Sequence, residues 1–181
     1  MESSKACAIT GHRPSRFKWR NNENSTGCKR LKKRLNEQFA LLYEQGVKEF
    51  WIGGSLGVDL WAGEELLRLK ARPEYGDLKI HLALPFEGHD INWDTAQKAR
   101  MNALRDSCTS VTVVGQNGQP AVLYKKRNYY MVDRSDFLVA VYDKDRSIRS
   151  GTGVTVNYAK KKHLRIIYIH PDSGKVSSEP I

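Results

Sequence analysis

The segment Phe137-Leu138-Val139-Ala140-Val141-Tyr142 constrains the fold more than any other stretch of this chain. Six apolar residues in succession, with no polar residue at alternate positions, make a strand covered on both faces, as interior strands of parallel sheets are. Around it, short apolar runs alternate with stretches of helical period. Residues 6–10 read as a strand stopping at Gly11, and Glu49 to Ile52 as another stopping at Gly53-Gly54. Lys79 to Leu84, Ser110 to Val114 and Arg165 to Ile169 read as further strands. Leu31, Leu35, Phe39 and Leu42 mark a helix from Lys29 to Gln45, and Val58, Trp61, Ala62, Leu66 and Leu69 mark the next. A third helix, capped by Asp90 or Asn92, passes through Trp93, Ala96, Arg100 and Leu104. Two more are expected from Ala121 to Arg134 and from Gly151 to Lys162. Strands and helices in this alternation predict an α/β fold, a Rossmann-like parallel sheet with helices on both faces.

The 181 residues suffice for one domain and are too few for two, so a single domain is expected, with its core in residues 6–169 and a tail after residue 170. No apolar run approaches the ~20 residues of a membrane helix, and the first residues lack a signal-like apolar stretch, so a cytoplasmic location without membrane contact is expected. Cys7, Cys28 and Cys108 are odd in number and widely spaced, which fits buried apolar residues better than disulfides or a metal pair. None of the five histidines has metal-ligand spacing to another His or to a Cys; His81, in mid-strand, reads as structural. Neither GxxxxGK[ST], GxGxxG nor GxSxG occurs, which disfavours a P-loop enzyme and removes specific support for a nicotinamide dehydrogenase or a serine hydrolase. No metal or cofactor is expected.

In a doubly wound sheet, ligands bind beyond the carboxyl ends of the strands. The residues there are Thr10-Gly11-His12-Arg13-Pro14, then Gly53-Gly54-Ser55-Leu56-Gly57-Val58-Asp59, then Pro85-Phe86-Glu87-Gly88, and finally Asp143 with Ser150-Gly151-Thr152-Gly153. Two of these turns are rich in glycine and open a helix. Glycine admits a phosphate close to the backbone, where free N–H groups and the positive helix end meet its charge. Ser55 and Thr152 supply hydroxyls, and Arg13 supplies a guanidinium with bidentate geometry. Asp59, just inside a helix, has two readings: a complement to the helix dipole, or an acceptor for a ribose hydroxyl.

The chain carries a formal charge of +10, and from His12 to Asn36 nine Lys and Arg face Glu23 alone. Such a block attracts phosphate, whether on a free nucleotide or along a nucleic acid, although a solvated helix face accounts for Lys29 to Arg34 equally well. Trp19, set among Arg16, Lys18 and Arg20, is either a stacking platform for a base or a packing residue.

Three motifs in order carry a resemblance. Ala8-Ile9-Thr10-Gly11-His12-Arg13-Pro14, Gly53-Gly54-Ser55-Leu56-Gly57-Val58-Asp59-Leu60-Trp61-Ala62, and the stretch from Asn128 through Asp133-Arg134-Ser135-Asp136 to Gly151-Thr152 resemble the SLOG superfamily, which unites DprA/Smf DNA-processing proteins with LOG-type nucleotide phosphoribohydrolases. The resemblance runs from Ala6 to Ile169 and is strongest to the single-domain YpsA-like branch. It implies a Rossmann-like fold with a nucleotide or nucleotide-derived ligand across the glycine loops. Arg127, Met131, Ser135 and Asp136 match the R-x3-M-x3-S-D segment of LOG enzymes, which adds Arg127 to the expected binding residues. The PGGxGTxxE motif that follows is not matched: Thr155 or Asn157, according to alignment, stands where those enzymes carry their catalytic glutamate. Glu64, Glu65, Glu87 and Asp90 are other carboxylates within sequence reach, and nothing selects among them, so no catalytic residue is assigned.

The expected function is therefore binding or sensing of a nucleotide-derived small molecule, a mononucleotide or an ADP-ribose-like compound. Two alternatives stand beside it: LOG-type hydrolysis of an N-glycosidic bond, and DprA-like binding of single-stranded DNA through the basic block. Resemblance also suggests self-association into a homo-oligomer, with no residues to name for it.

Overall fold

A computed structural model describes residues 3–179. Its strands are β1 (Lys5–Gly11), β2 (Val47–Ile52), β3 (Lys79–Leu84), β4 (Ser110–Val113), β5 (Phe137–Val141), β6 (Arg165–Ile169) and β7 (Val176–Glu179). Its α-helices are α1 (Thr26–Glu44), α2 (Val58–Lys70), α3 (Thr95–Ser107), α4 (Pro120–Asp133) and α5 (Gly151–Lys161). The strands form one sheet in the order β4-β3-β2-β1-β5-β6-β7, parallel except for β7.

Side chains that alternate along each strand divide the core into two layers. Cys7 and Ile9 of β1 and Val139 and Val141 of β5 pack with Leu31, Leu35 and Phe39 of α1 and Leu66 and Leu69 of α2. Ala8, Leu138 and Ala140 face the other way, against Met131 and Val132 of α4 and Val156 and Ala159 of α5. All five residues of β5 are buried, as its uninterrupted apolar run requires.

The chain winds outward from β1 through β2 and β3 to β4, then returns to place β5 on the other side of β1. The point of reversal lies between β1 and β5, which pair in parallel with Gly11 opposite Val141. Crossovers leave that point in opposite directions, so the loops after β1 and β5 diverge and open a crevice at their carboxyl ends.

Three local expectations need correction. Residues beyond 170 are not a tail: a turn closed by His170 N–H donating to the Lys175 carbonyl at 2.9 Å brings β7 back antiparallel to β6. The third helix is capped by Asp94, whose carboxylate accepts from Gln97 N–H at 2.8 Å, and not by Asp90 or Asn92. Helix α1 starts three residues before Lys29, because the Ser25 hydroxyl accepts from Cys28 N–H and caps it.

Candidate functional site

A cavity of about 320 Å³ occupies the crevice. The end of β1 and the turn after it contribute Thr10, Gly11, His12, Arg13, Ser15 and Arg16. The β2–α2 connection contributes Ser55 and the first turn of α2 Asp59, α4 contributes Tyr124, Arg127 and Asn128, the loop before α5 contributes Arg149 and Ser150, and the first turn of α5 contributes Gly151 and Thr152.

Positive charge dominates this lining. Four arginines face one carboxylate, Asp59. Arg16 reaches Asp143 at 3.5 Å, whereas among the described residues Arg13, Arg127 and Arg149 have no carboxylate within 4.0 Å. Arg13 lies over the Tyr124 ring at 4.6 Å from its centroid, and Arg127 lies 5.4 Å from the same centroid. The guanidinium of Arg127 is buried and anchored, Nη1 donating to the Gly53 carbonyl and Nε to Asn128 Oδ1 at 2.8 Å. Burial lowers its pKa, and the charge of Asp59 opposes that change.

Two helices point their amino ends at the cavity, and they differ in one respect. Helix α2 carries Asp59 in its first turn, so its positive end already has an anion. Asp59 is buried, and its Oδ2 accepts from Ser55 N–H at 3.1 Å, which ties the β2–α2 turn together. Burial raises the Asp59 pKa, while Arg127 and the Ser55 N–H oppose the rise. Helix α5 carries no acidic residue in its first turn; the Ser150 hydroxyl caps it by accepting from Gly153 N–H at 3.0 Å. Its positive end is therefore uncompensated, and Gly151 and Thr152 present it to the cavity.

His12 is 5% exposed. Its Nδ1 faces Thr152 Oγ1 at 3.4 Å, and its Nε2 is buried without a partner among the described residues. Burial and the neighbouring Arg16 both depress its pKa, so the ring is neutral near pH 7.

Of the residues expected at the site, Thr10, Gly11, His12, Arg13, Ser55, Asp59, Arg127, Gly151 and Thr152 converge on the cavity. Gly53, Gly54, Gly57, Pro85, Asp143 and Gly153 do not line it. A Cβ on Gly53 would stand 2.5 Å from Arg127 Nη1 and 2.8 Å from Asp59 Oδ2, so this glycine makes room for side chains and not for a phosphate. Gly54, at φ +70, packs against Leu84, and its carbonyl accepts from His89 Nε2 at 2.8 Å. Gly57 adopts φ +84 beneath the His12 carbonyl, where a Cβ would come within 2.8 Å. The Pro85 carbonyl accepts from Gly115 N–H at 3.0 Å, and Gly153 is taken up by the α5 cap. Asp143 holds Arg16 and accepts from Asp145 N–H at 2.9 Å.

Ser150, one of the residues after a strand, also lines the cavity, and so do Ser15, Arg16, Tyr124, Asn128 and Arg149, which the sequence reading does not single out as binding residues. Asn128 opens the third motif and Arg16 is one of the cations of the basic block, so proximity was a usable signal for those two. Trp19 is a packing residue: it stacks on Phe17 with centroids 4.7 Å apart and lies against Gly27, where a Cβ would meet its ring at 2.6 Å. The carboxylate question also has a structural answer. Thr155 is buried with its hydroxyl donating to the Gly151 carbonyl at 2.9 Å, and Asn157 is exposed. Glu64 and Glu87 pair with Arg100 and Arg105, Glu65 pairs with Arg68, and none of these, nor Asp90, lines the cavity. Among the described residues, hydrolysis through a carboxylate in this cavity would have Asp59 alone to use. Among the described residues no cluster of His, Cys, Asp and Glu suits a metal ion, and no helix is long and apolar enough to cross a membrane.

Both the sequence and the fold are similar to those of known proteins. The chain is 27% identical over 181 residues to the UPF0398 protein YpsA of Bacillus subtilis (strain 168), covering 97% of each chain. It is 29% identical over 160 residues to a UPF0398 protein of Bacillus cereus (strain G9842), covering 87% of this chain and 84% of that one. Among solved structures, DNA processing protein A from Streptococcus pneumoniae superimposes with a TM-score of 0.59 at 17% identity, over 92% of this chain and 50% of that one. DNA processing protein A from Helicobacter pylori, described for its single-stranded DNA binding mode, gives a TM-score of 0.58 at 17% identity, over 92% of this chain and 65% of that one. The chain thus spans about half to two thirds of those DNA-processing proteins, and at such identity the likeness concerns the fold. The sequence model described as the YspA SLOG family matches residues 7–173, and the chain belongs to that family, the YpsA branch of the SLOG proteins.

Proposed function

We propose that the chain binds a small, phosphorylated, nucleotide-derived ligand in the crevice between β1 and β5. One observation carries this reading: Arg13, Arg127 and Arg149, none paired with a carboxylate among the described residues, converge with the uncompensated amino end of α5 on a single cavity. A dianionic phosphate supplies the charge this lining lacks, and guanidinium groups match its oxygens in bidentate geometry. The polar residues beside them, Thr10, Ser55 and Thr152, suit sugar hydroxyls or further phosphate oxygens.

Ligands that bind only the folded state raise apparent stability, so a thermal-shift screen with nucleoside 5′-monophosphates, ADP-ribose and the parent nucleosides tests the proposal. At least one phosphorylated compound is expected to raise the melting temperature where its nucleoside does not. The shift should vanish in an Arg13→Ala, Arg149→Ala double variant, whose two side chains are exposed and make no ion pair among the described residues. Equal shifts for nucleoside and nucleotide, or an undiminished shift in the double variant, would overturn it.

A second reading, binding of a nucleic-acid single strand, draws support from the fold shared with the Helicobacter pylori protein and from an open groove lined by Lys29, Lys32, Lys33 and Arg68. Much of the basic block is already engaged. Lys32 pairs with Glu23 at 2.7 Å, Arg34 with Glu37 at 2.9 Å, Lys18 with Asp172 at 3.8 Å, and Arg30 donates to the Asp172 carbonyl. Glu37 and Glu65 also line the groove and repel phosphate, so the crevice is the stronger anion site.

A further inference from the structure

A second hollow of about 470 Å³ adjoins the crevice on the side of α4 and α5. The two share a wall of Arg13, Tyr124, Asn128, Arg149, Ser150 and Gly151, so the amino end of α5 stands at their boundary, but the surfaces beyond that wall differ. The hollow adds Pro120, Ala121 and Val154, with Lys125 as its one further charge and no carboxylate. An anion cavity thus opens onto a mainly apolar shelf edged by two planar groups, the Tyr124 phenol and the Arg13 guanidinium resting on it.

From this juxtaposition we infer that the shelf is a nucleobase subsite, so that the ligand lies with its phosphate inward at α5 and its base outward on α4. The inference rests on the reading that the inner cavity takes the phosphate, and it assigns the other end of the ligand. A base is flat, largely apolar on its faces and polar on its edges. Pro120, Ala121 and Val154 meet the faces, and the Arg13–Tyr124 stack offers a π surface that tolerates any base. Asn128 meets an edge. Because Arg127 Nε donates to Asn128 Oδ1, the amide is held with its oxygen toward the arginine, and its Nδ2 remains as a donor at the boundary of the two compartments. The inner cavity stands at the lower end of the volumes that hold whole organic ligands, about 300–1,000 Å³, so a complete nucleotide requires the shelf as well. The compound class that fits is a nucleoside 5′-phosphate or 5′-diphosphate derivative; a bare sugar phosphate leaves the shelf empty.

The test compares ribose 5-phosphate with the four common ribonucleoside 5′-monophosphates by calorimetric titration of wild type, Ala121→Trp and Val154→Gln. The first variant fills the shelf with a neutral side chain, the second makes its wall polar, and neither changes the charge of the cavity. In wild type at least one nucleotide is expected to bind tenfold or more tightly than ribose 5-phosphate. That ratio should fall to within about twofold of unity in either variant, with ribose 5-phosphate affinity and melting temperature unchanged. A ratio near unity in wild type, or one that survives both substitutions, overturns the shelf while leaving the phosphate site intact. If neither ribose 5-phosphate nor any nucleotide binds wild type, the inner-cavity reading falls and the shelf assignment falls with it.

Discussion

Gly53 and Gly151 look alike in sequence, each standing in a glycine-rich turn that leads into a helix, yet the space before them differs. At Gly53 a Cβ would collide with Arg127 and Asp59, two buried groups that cannot retreat into solvent. Gly53→Val is therefore expected to destabilise the fold by about 1–3 kcal/mol or more through overpacking, and to weaken ligand binding only by displacing Arg127. At Gly151 nothing lies within 4 Å of the Cβ position, and the residue is exposed at the first position of α5. Gly151→Val should leave the unfolding free energy measured in urea within about 0.5 kcal/mol of wild type, as surface substitutions do, and place two methyl groups where the proposed phosphate sits. Loss of nucleotide binding with full stability in Gly151→Val would separate the two glycines by role. Retention of binding in Gly151→Val would move the phosphate away from α5.

At the scale of elements, the segment from Pro14 to Ser25 connects the site-bearing end of β1 to α1, and an ionic clasp holds it down. Glu23 accepts from Arg100 of α3 at 2.6 Å and from Lys32 of α1 at 2.7 Å, while Arg100 also reaches Glu64 of α2. Hydrogen bonds from Arg100, seconded by Lys32, hold the Glu23 carboxyl down at about 2, against an ordinary value of 4.5. A carboxyl with a depressed folded-state pKa binds protons more readily when unfolded. Its contribution is complete above pH 4.5 and is lost as pH falls toward 2. The difference in unfolding free energy between wild type and Glu23→Gln should therefore be widest near neutral pH and shrink between pH 4.5 and 2. A difference that stays constant down to pH 2.5 would show that the clasp contributes nothing through ionisation. None of this clasp was readable beforehand, since Glu23 was visible only as the lone acid in a basic block. What was readable is what local pattern encodes. The bounds of β3 and β6 follow from apolar runs ending at Pro85 and His170, and the β1 and α5 ends of the site follow from position after a strand. Strand β7 was missed because Val176-Ser177-Ser178-Glu179 has no apolar run; it is held by backbone pairing at the sheet edge. Tyr124 and Arg149 were missed because only the packing of α4 and the course of the loop before α5 bring them over β1, and no spacing records that.

For the whole molecule, which carries a net charge of +10, two of the cationic regions obey different salt laws. The crevice concentrates its cations around one small volume, whereas Lys29, Lys32, Lys33 and Arg68 are spread along an open groove. A nucleotide with two charges releases few counterions, so its affinity should fall by less than about tenfold between roughly 50 and 200 mM salt. A single strand contacting many phosphates follows a slope of about −0.7 per phosphate on logarithmic axes, a far steeper loss over the same interval. Replacing Lys29 and Lys33 by Gln removes two groove cations that make no ion pair among the described residues, and leaves the crevice untouched. In that variant the nucleotide affinity is expected to match wild type, while any affinity for an unstructured oligothymidylate weakens and its salt slope flattens. Titrations of both ligands at three salt concentrations would check this directly. If the nucleotide weakens along with the oligonucleotide, the groove and the crevice form one continuous anion track, and the crevice is the end of a strand-binding path. If only the oligonucleotide responds, the small-ligand site stands alone at the switch point of the sheet, where the reversal of winding between β1 and β5 created room for it.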